Sequence, residues 1–337
     1  MEKRRNEIGS EFWDVPMADQ PTHVFSGSTQ WFLSGRCALQ AIIQELKDCR
    51  TVSMPSWCCG SMVKPFLDAG FEVRFYPVFW EDGLVQEIDL HSDVLVVMDY
   101  FGYTGAPLSL TGYRGVVIRD VTHSFFSLTH SDATYSFGSL RKWCGVWTGG
   151  FAWTDDGHEL QTGQGDDHGF VSLRKEGMLL KQRYIVGKGG EDKGYLDLFH
   201  AAENALERVG VVPAAQRDIE CAKRLDTAAM TIARRTNAGI LRDAFREWLL
   251  FPQTKETDCP MFVPVLVPDG KRDALRQYLM QNEIYCPIHW PISDLHRLDK
   301  RTGQIYENEL SLVCDQRYSQ EDMYHMVTLI NRFWKEA

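Results

Sequence analysis

The sequence has no C-x-x-C pair. Its nine cysteines, an odd number, are scattered from Cys37 to Cys314. That pattern argues against a disulfide framework and for free thiols in a reducing compartment. Cys58 and Cys59 are adjacent, but a zinc site there would need a second ligand pair. The ordinary reading is two small buried apolar residues. Basic charge is in deficit: 36 Lys and Arg against 46 Asp and Glu leave a net charge of −10. A dedicated nucleic-acid binder needs clustered cations to neutralise phosphates, so no nucleic-acid partner is expected. No stretch approaches the roughly 18 uninterrupted apolar residues of a membrane span. No apolar run follows the charged Met1–Arg5 stretch, so no secretory signal is read. A soluble, cytoplasmic protein with no membrane partner is expected. The G-x-G-x-x-G fingerprint after a first strand is missing too, which speaks against a Rossmann dehydrogenase.

What is present has the profile of a folded protein, 44% hydrophobic and 24% charged over 337 residues. That length predicts two domains. Helix and strand signals alternate in the first half. Ser34 can cap a helix whose apolar positions Cys37, Ala38, Ala41, Ile42 and Leu46 recur at three and four. Thr51–Met54 reads as a short strand stopped by Pro55. Ser61–Ala69 reads as a helix closed by Gly70. Further strands are expected over 72–78, 93–100, 116–118 (ending at Arg119-Asp120), 133–137 and 150–153. Such alternation predicts an α/β fold with a mostly parallel sheet, whose ligands sit beyond the carboxyl ends of the strands.

Residues 161–194 are rich in Gly, Asp and Lys and read as a loop or lid. A helical pattern runs from Tyr195 to about Trp248, interrupted near Pro213. The boundary is expected near residue 235, giving a large domain over 1–235 and a small C-terminal domain over 236–337. The latter should hold a strand over 261–267, a helix over 271–280 and a strand over 284–288. A final helix should open at Ser319, with Asp322 completing a capping box.

Three constellations carry chemistry. Ser139-Leu140-Arg141-Lys142-Trp143, followed by Thr148-Gly149-Gly150, places a lysine just past a strand. Burial and the like charge of Arg141 would lower its pKa, and a neutral amine condenses with aldehydes. The alternative is a solvated basic turn. Arg119-Asp120-Val121-Thr122-His123 ends a strand on an acid that is costly to bury unless paired. A protonated pyridine nitrogen is a suitable partner, with His123 bracing the acid or touching the ring. The alternative is an Asp capping the next turn. Ser34-Gly35-Arg36 opens a helix, where free N–H groups and the helix dipole favour an anion; an ordinary N-cap is the alternative.

Taken along the chain as phosphate cradle, ring-nitrogen acid and aldehyde-binding lysine, the three resemble the DegT/DnrJ/StrS family of pyridoxal-phosphate-dependent aminotransferases, many of which act on nucleotide-linked keto sugars. The resemblance runs over nearly the whole chain. It begins with Glu7-Ile8-Gly9-Ser10-Glu11-Phe12-Trp13 and continues through Ser34–Leu39, similar to S-G-T-A-A-L. It then takes in Met54-Pro55-Ser56-Trp57 with Gly70, and Tyr100-Phe101-Gly102. Asp120–His123 is similar to E-D-x-x-H/Q, Ser139–Lys142 with Gly149-Gly150 to the lysine loop, and Tyr285–Pro291 to a strand of the small domain. There are departures: Arg36 stands where Thr is usual, Cys59 stands where an aromatic ring often stacks on the cofactor, and Ser139 lies three rather than five residues before the lysine. Trp57 can substitute for the missing ring, and Arg36 can reach phosphate or pair elsewhere.

The resemblance implies a fold type I enzyme with a seven-stranded sheet, and a homodimer in which the partner chain completes the phosphate pocket. It implies pyridoxal 5'-phosphate held as a Schiff base on Lys142, with Gly35, Arg36, Trp57, Cys59, Asp120, His123 and Ser139 around it. The expected activity is amino transfer from a small-molecule donor to a keto acceptor in sugar biosynthesis. Tyr100, His289 and Trp290 are the substrate-pocket candidates. The same cofactor would also serve elimination or dehydration. A non-catalytic binding or regulatory protein on this fold is a third option.

Overall fold

Val94–Met98, the apolar run expected as a buried strand, is buried at every position. Alternate side chains of a strand point to opposite faces, so such a run needs cover on both sides and belongs inside a sheet. The computed structural model describes residues 7–22, 24–25, 28–105, 108–127, 133–188 and 192–336; Met1–Arg5 lies outside them. Seven strands form the main sheet: β1 (Gln30–Phe32), β2 (Thr51–Pro55), β3 (Glu72–Tyr76), β4 (Val94–Met98), β5 (Val116–Asp120), β6 (Tyr135–Ser139) and β7 (Gly150–Thr154). Their order is β1-β7-β6-β5-β4-β2-β3. β2 runs parallel to β3 and β4, and β4 runs parallel to β5. β7 runs antiparallel to both β1 and β6. This is the α/β fold with a seven-stranded, mostly parallel sheet that was expected.

The chain divides into two compact units, each discontinuous in sequence: Met1–Leu46 with Tyr135–Thr227, and Lys47–Thr134 with Ala228–Ala337. Compactness alone therefore cuts the chain elsewhere than at residue 235.

In the first unit, helix α1 (Gly35–Glu45) starts where expected. The Ser34 hydroxyl accepts from the Cys37 N–H at 3.2 Å, and Cys37, Ala38, Ala41 and Ile42 are fully buried. Residues 161–194 are not a simple loop. Helix α3 (Phe170–Ile185) occupies sixteen of them and packs on α4 (Tyr195–Leu206). Its buried stripe is Phe170, Arg174, Gly177, Met178, Lys181, Tyr184 and Ile185. The spacing is helical, but an arginine and a lysine hold two of the inward positions, so no apolar periodicity marked it.

In the second unit, α2 (Gly60–Asp68) is closed by Gly70 at φ 81°, a left-handed position that suits glycine. Strand β8 (Val263–Leu266) pairs antiparallel with β9 (Glu309–Leu312). Helix α7 (Arg272–Gln281) packs on the final helix (Gln320–Glu336), α9. The capping box forms: the Ser319 N–H reaches the Asp322 carboxylate at 2.8 Å, and the Asp322 N–H reaches the Ser319 hydroxyl at 3.3 Å. The strand expected over 284–288 shrinks to Ile284–Tyr285.

Among the described residues no helix is long and apolar enough to cross a membrane, and no group of three or more His, Cys, Asp or Glu could hold a metal.

Candidate active site

The first unit carries the lysine loop. β6 ends at Ser139, and one turn of 3-10 helix, Leu140–Lys142, follows. Leu140 is buried and anchors the turn through its N–H to the Gly149 carbonyl at 2.7 Å. Lys142 is exposed, not buried. Arg141 points elsewhere: its guanidinium pairs with Glu203 and lies 4.9 Å from the centre of the Phe170 ring. Around this loop the unit is built on ion pairs. Buried Arg174 meets Glu11 at 3.1 Å. Burial pushes the Glu11 carboxyl up, but Arg174, Arg141, Lys142 and Lys181 outweigh it and hold the pKa at about 2. Glu203 is likewise pulled down, by Arg141 and Lys142 among others, against the effect of burial.

The other predicted residues of this unit gather at the start of α1. Its first turn carries no acidic residue, which leaves the positive end of the dipole uncompensated. A Cβ on Gly35 would stand 3.3 Å from the Gly138 carbonyl oxygen and from Ser139 Cβ. A Cβ on Gly150 would stand 2.0 Å from the Ser34 carbonyl oxygen. These glycines thus let helix and strands approach backbone to backbone. Arg36, the departure from the family pattern, pairs with Glu207 at 2.9 Å.

The second unit carries the acid and an aromatic cluster. Asp120 closes β5, is 5% exposed, and accepts from the Thr122 N–H at 2.8 Å. Its neighbour Arg119 faces the opposite side, as strand alternation requires, and pairs with Asp99 at 2.7 Å. Trp57, Tyr100, His123, His289 and Trp290, five residues picked from sequence, meet in one cluster centred on Phe101. Tyr100 stacks on Trp57 with centroids 4.9 Å apart and planes 11° apart. His123 stacks on Trp290 at 5.5 Å and 19°. Phe101 lies 5.0 Å from His123 and 5.2 Å from His289. Polar atoms lock the rings. The Tyr100 hydroxyl donates to the Trp57 carbonyl at 2.6 Å, Trp57 Nε1 donates to the His289 carbonyl at 2.7 Å, and the Phe101 N–H donates to His123 Nδ1 at 3.4 Å. Trp57 has no exposed surface. Burial, then Tyr76, Cys58, Tyr306 and Asp120, raises the Tyr100 pKa, so its phenol keeps its proton. Cys59 is half-buried at the start of α2, where its sulfur accepts from the Ser61 hydroxyl at 3.0 Å.

No protein-family model matches this chain, and no curated protein does. Solved structures do match. PseC from Helicobacter pylori, described as an aminotransferase involved in the biosynthesis of pseudoaminic acid, superposes with a TM-score of 0.62 at 14% identity, over 97% of this chain and 100% of that one. A DegT DnrJ EryC1 StrS aminotransferase from Brucella abortus gives 0.61 at 14% identity, over 90% and 85%. The putative sugar aminotransferase Spr1654 from Streptococcus pneumoniae, in its PLP form, gives 0.58 at 13%, over 90% and 87%. This chain shares their fold.

Within that fold, sequence reasoning missed two polar residues beside the cluster. Glu309 and Ser311, both on β9, are wholly buried. The Ser311 hydroxyl donates to Glu309 Oε1 at 2.5 Å and lies 2.8 Å from His289 Nδ1; the His289 N–H donates to Glu309 Oε2 at 2.7 Å. Burial drives the Glu309 carboxyl up to about 8, against those hydrogen bonds and the field of Arg272. The available signal was the E-x-S alternation in Glu309-Leu310-Ser311-Leu312, which sets two polar side chains on one face of a strand.

Proposed function

We propose that this protein is a pyridoxal-phosphate-dependent aminotransferase acting on a keto sugar, with Lys142 and Asp120 as its central pair. One observation carries the reading. In a fold shared with aminotransferases, an exposed lysine follows the end of β6, and a buried aspartate ends β5. The donor set fits the cofactor by its chemistry: an amine for the aldehyde, a carboxylate for the ring nitrogen, and a glycine-opened helix start without acidic residues for the phosphate. When bound, pyridoxal phosphate supplies an electron-poor ring that stabilises negative charge at the substrate α-carbon.

The chain's own residues have separate tasks in this reading. Lys142 Nζ would hold the cofactor by its aldehyde carbon and, once free, would carry the proton taken from the donor's α-carbon. The Asp120 carboxylate would accept from the cofactor's ring N–H and keep that nitrogen charged; its own tie to the Thr122 N–H fixes its direction. The His123 ring, steadied by Trp290 and the Phe101 N–H, presents a fixed surface. Gly35 and Ser139 line the phosphate end. Arg36 would join them only by leaving Glu207. Tyr100, His289 and Trp290 form the wall we assign to the substrate. Homodimerisation, a cytoplasmic location and a small domain over 236–337 belong to the same proposal.

The test mixes purified protein and pyridoxal phosphate with a panel of amino donors and reads the cofactor spectrum. Conversion to the pyridoxamine form is expected, and Lys142→Ala should lose both that conversion and the borohydride-reducible adduct. Asp120→Asn should slow conversion by about two to three orders of magnitude, the typical cost of removing one stabilising group from a site. An adduct that persists on another lysine would overturn the assignment.

A further inference from the structure

We propose that Glu309 and Ser311 are positioning residues which decide the nitrogen of His289 that carries the proton, by passing a proton along a three-residue chain. β9 sets both side chains on one face, and both are wholly buried. A serine has a single hydrogen to donate. When the Ser311 hydroxyl gives it to the Glu309 carboxylate at 2.5 Å, its oxygen can only accept across the 2.8 Å to His289. The imidazole proton then sits on Nδ1, and Nε2 carries the lone pair. A protonated Glu309 reverses the chain. Its O–H donates to the Ser311 oxygen, Ser311 donates to Nδ1, and the imidazole proton sits on Nε2. In both states the His289 N–H holds the second carboxyl oxygen at 2.7 Å.

The two states interconvert with protons in balance. A proton arriving at Nε2 sends the Nδ1 proton to the Ser311 oxygen, and the Ser311 proton moves to Glu309. One N–H and one O–H form, one N–H is lost, and the ring ends neutral. No imidazolium is then stranded among Phe101, Phe262 and Trp290, which surround His289 at centroid distances of 5.0 to 5.4 Å. That matters because a buried cation is costly unless paired. The groups facing this chain are few. Arg272 of α7 donates to the Glu309 carbonyl at 3.2 Å. The buried Cys286 thiol is raised to about 12 by burial and keeps its proton. The His123 ring lies 5.6 Å from that of His289.

The relay stands on geometry; its use in moving a substrate proton rests on the aminotransferase reading. The test is made on the full chain with ¹⁵N-labelled histidine, assigning His289 among the ten histidines with His289→Gln. Ring-nitrogen shifts are followed from about pH 6.5 to about pH 9.5, the range that brackets the switch. In the unaltered protein, His289 should pass from the Nε2–H to the Nδ1–H form with a midpoint near the Glu309 value of about 8. Glu309→Gln imitates the protonated acid and should hold Nε2–H throughout. Ser311→Ala, which only removes the link, should erase the midpoint. A single tautomer across the range in the unaltered protein, or an unchanged titration in either variant, overturns the relay. A switch in a protein that converts no amino donor leaves the relay standing and removes the aminotransferase reading; conversion without a switch does the reverse.

Discussion

Each of the two compact units buries a glutamate, and the two are accommodated by opposite means. The first pairs full charges. Glu7, 4% exposed, is met by Lys181 at 3.0 Å, by Lys193 at 2.9 Å and by the Tyr195 hydroxyl at 2.9 Å. Buried Arg174 and the largely covered Arg141 are met by Glu11 and Glu203. The second also has a buried pair, Arg317 with Asp315 at 2.8 Å, but its Glu309, beside the aromatic cluster, is raised to about 8 by burial. A buried carboxylate can be met by a cation or can keep its proton. Glu7 and Glu309 are the two outcomes, in one chain. The first leaves a unit sensitive to loss of a partner. The second leaves a group whose charge answers to pH.

Cutting each unit at its centre gives the largest expected effects. Trp57→Ala should cost about 3–5 kcal/mol in chemical denaturation, the usual range for a core aromatic. Lys181→Met should cost about 3 kcal/mol, the low end for breaking a buried pair, because Lys193 still faces Glu7. If Lys181→Met were neutral while Trp57→Ala were severe, ion pairing would not be what holds the first unit.

The contrast sharpens with pH. Glu309 has a raised pKa, so it favours folding fully below the ordinary 4.5 and loses that contribution as pH climbs towards about 8. Glu11 has a lowered pKa, so its contribution is present above 4.5 and is lost as pH falls towards about 2. Denaturation midpoints across pH should therefore lose part of their alkaline slope in Glu309→Gln and part of their acid slope in Glu11→Gln. Equal slopes in the two variants would erase the distinction. The smallest effect is expected at the surface. Arg246→Ala removes a pair with Asp243 in which both side chains are about three-quarters exposed, and should change stability by less than about 0.5 kcal/mol.

How far the sequence could be read follows the same contrast. β4 and β5 were legible because continuous apolar runs have few other fates, and α1 was legible because its cap and its stripe agree. The members of the aromatic cluster were legible as residues, though not as one cluster. Helix α3 was hidden because Arg174 and Lys181 sit on its inward face, and their carboxylate partners, Glu11 and Glu7, lie more than 160 positions away in the chain. No local pattern announces an ion pair of that span. β6 was placed two residues early, since Ala133 and Tyr135 read alike at a strand edge. Glu309 and Ser311 escaped because no strand was read over Glu309–Leu312, a four-residue segment in which polar and apolar residues alternate. Only the neighbourhood of His289 shows that it is buried.

Phe101 carries a consequence of its own. It stands at φ 54°, followed by Gly102 at φ 79°, whose hydrogen in place of a methyl avoids the Cys259 carbonyl. For glycine this torsion is ordinary; for a bulky L-residue it costs roughly 1–2 kcal/mol. Only glycine at 101 would relax the backbone, and it would empty the middle of the ring assembly in the same stroke. The turn after β4 thus holds a benzyl group where the backbone alone would prefer none, and the rigidity of the wall around His289 is bought with that torsion.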